Sequence, residues 1–202
     1  MSSSGRHFIL GYGSLINGES RAKTGETGNV WSVKLHGFER HWSVMSDEFG
    51  MSSVAVIQVP NKSCNGVLVE VPFDQFSLFD ERERGYQRTV IQANQLSAYH
   101  ATSLPEGTYW VYHTENLVEP NQDCPIVLSY LDVILSGCLE HGDDFTQDFL
   151  ELTKGWASPL LNDRKTPRYP RVQTDLPTER LNTLLAPVTT LSIKELSVTY
   201  ES

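Results

Sequence analysis

No stretch of this 202-residue sequence approaches the roughly 20 consecutive apolar residues that span a bilayer, and the opening MSSSGRHF lacks the apolar segment of a secretion signal. The expectation is a soluble, cytoplasmic protein with no membrane partner. Cysteine is scarce. Cys64, Cys124 and Cys138 are odd in number and lack the paired spacings of a zinc site or a redox motif, so they read as small hydrophobes in a reducing compartment. The histidines, His7, His36, His41, His100, His113 and His141, show no HxH or HxxxH spacing, so no metal site is expected. Positive charge is short as well: 16 Lys and Arg face 25 Asp and Glu, a net charge of -9. That balance lacks the basic face that binding a phosphate backbone requires, which excludes a nucleic-acid partner.

What is present is enough apolar sequence for one sizeable core, without the bias of a disordered or disulfide-rich chain. The first half holds runs of strand length: HFILGY, NVWSVKLHGF, RHWSVM, SSVAVIQVP, NGVLVEVP, YQRTVIQA and TYWVYHT. Most are rich in β-branched or aromatic residues and are bounded by Gly, Asn, Asp or Pro. Between them, FDQFSLFDERERG follows Pro72 and lacks strand alternation, which predicts a helix. In the second half, PIVLSYLDVILSGCLEHG places Ile126, Tyr130, Leu131, Ile134, Leu135, Cys138 and Leu139 on one helical face, with Pro125 at its start and Gly142 at its end. DDFTQDFLELTK and LPTERLNTLLA predict two more helices. Strands first and helices later give an α+β domain with a mainly antiparallel sheet or small barrel, not a doubly wound fold. With no repeat and no linker, residues 1–202 form one domain, and 155–202 are expected to pack on it as a C-terminal extension.

Three stretches carry chemistry. FILGYGSL stops an apolar strand at Gly11-Tyr12-Gly13-Ser14-Leu15. It lacks the spacing and the Lys-Ser/Thr pair of a phosphate loop. Ser14 also has Tyr12 and Ile16 where a nucleophile elbow has glycines. Two readings stay open: an ordinary Gly-rich turn, or backbone N-H groups exposed to hold a carboxylate or an oxyanion. In FDQFSLFDERERGYQR, a 100° period puts Phe76, Phe79 and Glu83 on one face and turns Glu81, Arg82 and Arg84 elsewhere. A carboxylate on that inward face has a raised pKa through desolvation, which suits a group that takes and returns a proton near neutral pH. The opposing reading is a frayed helix end with Glu83 in water or paired with Arg88 or Arg40; Asp80 is then the alternative acid. Finally, NDRKTPRYPR crowds Arg164, Lys165, Arg168 and Arg171 together, either as solvated loop charges or as a grip on an anionic ligand. Trp42, Trp110, Tyr112 and Trp156 read as core or pocket wall.

Taken in order and separation, GYGSL after the first strand and the glutamate of ERERGYQR resemble the gamma-glutamylcyclotransferase superfamily. LHGFERHWSVMSDEFG is similar to the Gly-aromatic-x-Arg strand of its ChaC-type, glutathione-degrading branch, and NGVLVEVP and YWVYHTEN continue the likeness over roughly the first two thirds of the chain. The resemblance implies a small, mainly antiparallel β-barrel with flanking helices that releases 5-oxoproline from a small-molecule gamma-glutamyl compound, with no cofactor and no metal. It implies Glu83 as the catalytic carboxylate, Tyr12, Gly13, Ser14 and Leu15 as the loop holding the gamma-glutamyl group, and Tyr112 as a pocket tyrosine. Arg40 is assigned to substrate binding as local positive charge for an anionic substrate. Arg164 and Arg168 are expected to lie over the pocket and read the substrate beyond its gamma-glutamyl group. Two other classes remain as alternatives: a non-catalytic ligand-binding or interaction module of the same fold, and a Ser or Cys hydrolase, for which no motif speaks. Neither the leaving amine nor the oligomeric state can be read from these residues.

Overall fold

A computed structural model describes residues 5–100 and 103–189. Nine strands alternate with five α-helices: β1 (His7–Gly11), α1 (Gly18–Ala22), β2 (Val30–Ser43), β3 (Ser53–Glu70), α2 (Phe76–Arg82), β4 (Gln87–Ile91), β5 (Leu96–Ala98), β6 (Thr108–His113), β7 (Ile126–Val127), α3 (Leu128–Glu140), α4 (Asp143–Leu152), β8 (Thr153–Lys154), β9 (Leu160–Leu161) and α5 (Thr178–Leu185). The main sheet runs β4-β6-β1-β3-β2-β5, with β8 added to β2, and curls into a half-barrel. Four of its six pairings are antiparallel; β1–β6 and β2–β8 are parallel. The fold is the expected α+β one.

β1 shows why the sheet forms where it does. Its residues are buried throughout, with β3 on one side and β6 on the other. A continuous apolar run such as Phe8-Ile9-Leu10 is what a strand covered on both faces requires. Each of those side chains contributes roughly 1.5–3 kcal/mol by leaving water. Four of the strand-length runs join into two strands: NVWSVKLHGF with RHWSVM makes β2, and SSVAVIQVP with NGVLVEVP makes β3. The apparent break between them is a register shift at His36/Phe38, so a local irregularity reads in sequence as a strand end.

The later helices differ from expectation in two respects. α3 begins at Leu128, because Ile126 and Val127 are drawn off to pair with Leu160 and Leu161. It is buried almost all round, Asp132 and Val133 included, so the one-sided apolar face is not its environment. α4 stops at Leu152, where Thr153 and Lys154 turn to join β2. Beyond residue 155 the chain returns over the core through Trp156, Leu160, Leu161, Tyr169, Leu176, Leu181 and Leu185. The last part of the expected extension, 190–202, lies outside the described residues. No helix among the described residues is long and apolar enough to cross a membrane.

Candidate active site

β1 delivers the chain to the loop at Gly11. Ser14–Ile16 then form a single 3-10 turn, closed by the Ile16 amide donating to the Gly13 carbonyl at 2.9 Å. Both glycines are demanded by close approach. A Cβ on Gly11 would stand 2.6 Å from that of Leu15, and one on Gly13 would stand 2.7 Å from Val54 Cγ2 and 3.0 Å from the Tyr130 hydroxyl. From below, the turn is braced by α3. Asn17 donates to Ser136 Oγ at 3.1 Å and to Glu140, and the Gly18 amide also donates to Glu140. Tyr12 is buried, its hydroxyl donating to the Tyr112 carbonyl at 2.6 Å, and burial pushes its pKa well up, so it stays a neutral donor.

α2 brings Glu83 to the same place. Phe76 and Phe79 sink into the core, the helix ends at Arg82, and Glu83 occupies the capping position beyond it. Its side chain is 18% exposed. Burial raises the Glu83 pKa, against the opposing pull of Arg82 and then Arg171. Arg82, like Arg84 a residue that the helical period turns elsewhere, borders the cavity. Instead of pointing away, it donates from Nη2 to Ser14 Oγ at 2.9 Å, and its Nε meets Glu83 Oε1 at 3.1 Å. Nη1 donates to the Ser20 carbonyl and Thr24 Oγ1. One guanidinium thus ties the Gly-rich turn to the glutamate. The helix stops at this residue, and a long side chain leaving the last turn is not held to the 100° rule.

These groups line one cavity of about 470 Å³. Tyr12, Gly13, Ser14, Leu15, Tyr112 and Glu83, all expected at the site, border it; so do Arg82, Arg84, Tyr86, Tyr130, Arg168, Tyr169 and Arg171. Arg40 does not. It is fully buried behind the turn, donating to the Tyr12, Asn65 and Phe149 carbonyls, to Asn65 Oδ1 and to Thr153 Oγ1, with Phe149 under its face at 4.0 Å. The assignment of Arg40 to substrate is corrected: its donors are consumed by three carbonyls and by the Asn65 and Thr153 side chains, and it holds the loop without facing the cavity. Asp80 does not itself border the cavity. It pairs with Arg88 at 2.9 Å and accepts at 2.7 Å from the hydroxyl of Tyr112, which does. The Arg164 expectation fails too, since Arg164 grips buried Asp132 through Nε at 2.6 Å and Nη2 at 2.7 Å.

The wall that sequence reasoning named only in part is the strap 168–171. It returns from the far end of the chain because buried Asp163 accepts from the Ser129 amide at 2.8 Å, the Ser129 hydroxyl at 2.5 Å and the Arg168 amide at 2.8 Å. Tyr169 packs edge-on against Tyr130, their centroids 4.9 Å apart. Among the described residues no cysteine and no histidine borders the cavity, and burial pushes the Cys64 thiol up to about 11. The described lining therefore offers neither a thiolate nor a Ser-His pair. Among the described residues no group of three or more His, Cys, Asp or Glu could hold a metal ion.

No protein-family model matches the sequence, and no curated protein matches it. Solved structures do match it in fold. A gamma-glutamyl cyclotransferase superposes with a TM-score of 0.59 at 14% identity, over 73% of this chain and 88% of its own. A protein from Homo sapiens called uncharacterized does so at 0.58 and 14%, over 80% and 97%. YkqA from Bacillus subtilis gives 0.52 and 17%, over 76% of this chain and 57% of its own. The chain is an α+β protein with a half-barrel sheet. More narrowly, it has the gamma-glutamylcyclotransferase-like fold, the fold of the superfamily that its GYGSL and ERERGYQR motifs resemble.

Proposed function

We propose that this protein is a gamma-glutamylcyclotransferase-type enzyme, releasing 5-oxoproline from a gamma-glutamyl amide. The observation that carries the reading is a desolvated carboxyl, Glu83, lining the same cavity as the Gly-rich turn and joined to it through Arg82. The nucleophile and the electrophile both belong to the substrate. Glu83, as carboxylate, takes a proton from the alpha-ammonium group. The freed nitrogen attacks the gamma-carbonyl carbon, closing a five-membered lactam as the bond to the leaving nitrogen breaks. Glu83 returns the proton to that nitrogen; in all, two protons leave the alpha-nitrogen and both end on the departing amine. A raised pKa brings Glu83 toward the range where it both accepts and donates.

The enzyme's share is largely geometric. Holding the folded conformer that ring closure requires supplies much of the acceleration of an intramolecular reaction. The loop at residues 11–15 serves as the clamp, and backbone N-H groups there suit the stabilisation of the oxygen on which charge develops. The reading agrees with a gamma-glutamyl cyclotransferase among the fold neighbours.

The test is 5-oxoproline release from glutathione, gamma-glutamyl amino acids and gamma-glutamylamines by the purified protein and by Glu83→Gln. Release by the parent and its loss in the variant supports the reading. Binding without release from any of these compounds replaces it with the binding-module alternative.

A further inference from the structure

Three arginines converge on the Gly-rich turn, and one of them differs from the others in what it holds. Arg21 donates to the Leu15 and Ile16 carbonyls, and Arg40 donates to the Tyr12 carbonyl. Those two fasten backbone, and neither borders the cavity. Arg82 does border it, and among the described residues it takes no carbonyl of the turn. Its Nη2 donates to the Ser14 hydroxyl at 2.9 Å, its Nε meets Glu83 Oε1 at 3.1 Å, and its Nη1 holds Thr24 Oγ1 and, at 3.4 Å, the Ser20 carbonyl. The side chain is only 14% exposed. Its planar fork is thus held on three sides, by the turn, by α1 and by the segment after α1.

The Glu83 side chain accepts no other hydrogen bond among the described residues, so its placement depends on this contact. The groups that face it come from every neighbouring element: Arg171 from the strap, Tyr12 from the turn, Tyr86 from the segment before β4 and Tyr130 from α3, with Arg84 and Arg168 also in the lining. Burial pushes the pKa of all three tyrosines up, so they stay neutral. Arg171 acts on Glu83 less strongly than Arg82 does. Burial favours the protonated carboxyl, whereas the reaction has to begin with the carboxylate, which receives the first proton from the substrate. The strongest pull back toward the carboxylate is that of Arg82.

We infer that Arg82 is a positioning residue of the reaction: by gripping Ser14 and one oxygen of Glu83 at once, it fixes the carboxyl that moves protons against the turn that holds the substrate, and readies that carboxyl to accept the first proton. The role uses both properties of an arginine, a permanent charge and a fork that serves several acceptors. The inference rests on the cyclotransferase reading for the protons that are moved, but not for the pairing itself, which acts on Glu83 whatever the ligand.

The experiment is a pH titration by carbon-13 nuclear magnetic resonance of protein labelled at its glutamate carboxyl carbons, the Glu83 signal being identified by its loss in Glu83→Gln. In the parent this signal should titrate above the ordinary 4.5, and in Arg82→Gln about one pH unit or more higher still, the worth of an adjacent opposite charge. The midpoint is read from folded protein and does not depend on how much of a variant folds. Arg82→Lys keeps the charge and loses the fork. Its midpoint should stay near that of the parent, while kcat for 5-oxoproline release falls about tenfold or more with KM little changed. Equal midpoints in the parent and Arg82→Gln overturn the inference, as does an undiminished kcat in Arg82→Lys. Turnover by the parent separates the two claims. Release of 5-oxoproline with no displaced midpoint in Arg82→Gln keeps the cyclotransferase reading and removes the role of Arg82; a displaced midpoint without 5-oxoproline from any gamma-glutamyl compound keeps the pairing and removes the cyclotransferase reading.

Discussion

Two segments line the same cavity and are held there in different ways. The turn at residues 11–15 is placed by close packing: β1 feeds it, glycines let it fold against Leu15, Val54 and Tyr130, and Arg40 takes the Tyr12 carbonyl from behind at 3.2 Å. The strap at 168–171 is placed by long-range polar contacts, chiefly those of one aspartate, Asp163, with Ser129 and with the Arg168 amide. A wall built by close packing leaves no room for added atoms at Gly11 and Gly13. A wall hung from a few hydrogen bonds depends on each of them.

The comparison breaks first at Glu83, which meets the turn through Arg82. Glu83→Gln should lower kcat for 5-oxoproline release by about 10²–10⁴, the usual worth of a general acid and base, read by product formation at saturating substrate. Next is the brace. Arg40→Lys cannot serve five acceptors spread over Tyr12, Asn65, Phe149 and Thr153, and should cost about 3 kcal/mol in denaturant unfolding, the scale of a broken buried charge network. On the turn, Gly13→Ala pushes a methyl into Val54 and the Tyr130 hydroxyl. It should lose about 1–3 kcal/mol, with stability and kcat falling together.

The strap should respond otherwise. Asp163→Asn turns one acceptor into a donor facing Ser129 or the Arg168 amide, and steady-state kinetics should show KM rising several-fold while kcat changes less. Equal effects on both would erase the distinction between the walls. The smallest effect is a pH dependence. Burial holds the folded pKa of Glu83 above its ordinary 4.5. The native state therefore binds more protons than the unfolded state between those two values, and the carboxyl's contribution to stability is lost as pH rises through the folded pKa. Thermal melts should show the Tm of Glu83→Gln gaining on the parent from below pH 4.5 upward. The acid limb of kcat/KM should likewise lie above that ordinary glutamate value.

Much of the first wall was legible because it is local. An apolar run broken by Gly-Tyr-Gly-Ser has few meanings, and the spacing of Phe76, Phe79 and Glu83 brought the carboxylate to the inward side even though the helix ends one residue short of it. Arg82 was misplaced by the same period, which describes Cβ directions and not where a long guanidinium ends. Arg40 was assigned by charge alone, yet its neighbours in space, Thr153 and Phe149, lie more than 100 residues away in sequence. The strap shows the same limit. NDRKTPRYPR advertises its basic residues equally, and only the fold sorts Arg164 onto Asp132 and Arg171 onto the cavity. Long-range partners decide which of several similar charges does what, and no spacing rule contains them.

The buried guanidinium of Arg40 joins the carbonyl of Tyr12 to that of Phe149 at the end of α4. A single side chain thus ties the Gly-rich turn to a remote helix, and the two are expected to open together. Amide hydrogen exchange should find Ile16 in the turn and the C-terminal amides of α4 released at the same free energy, as one cooperative unit, with the strap exchanging independently and sooner.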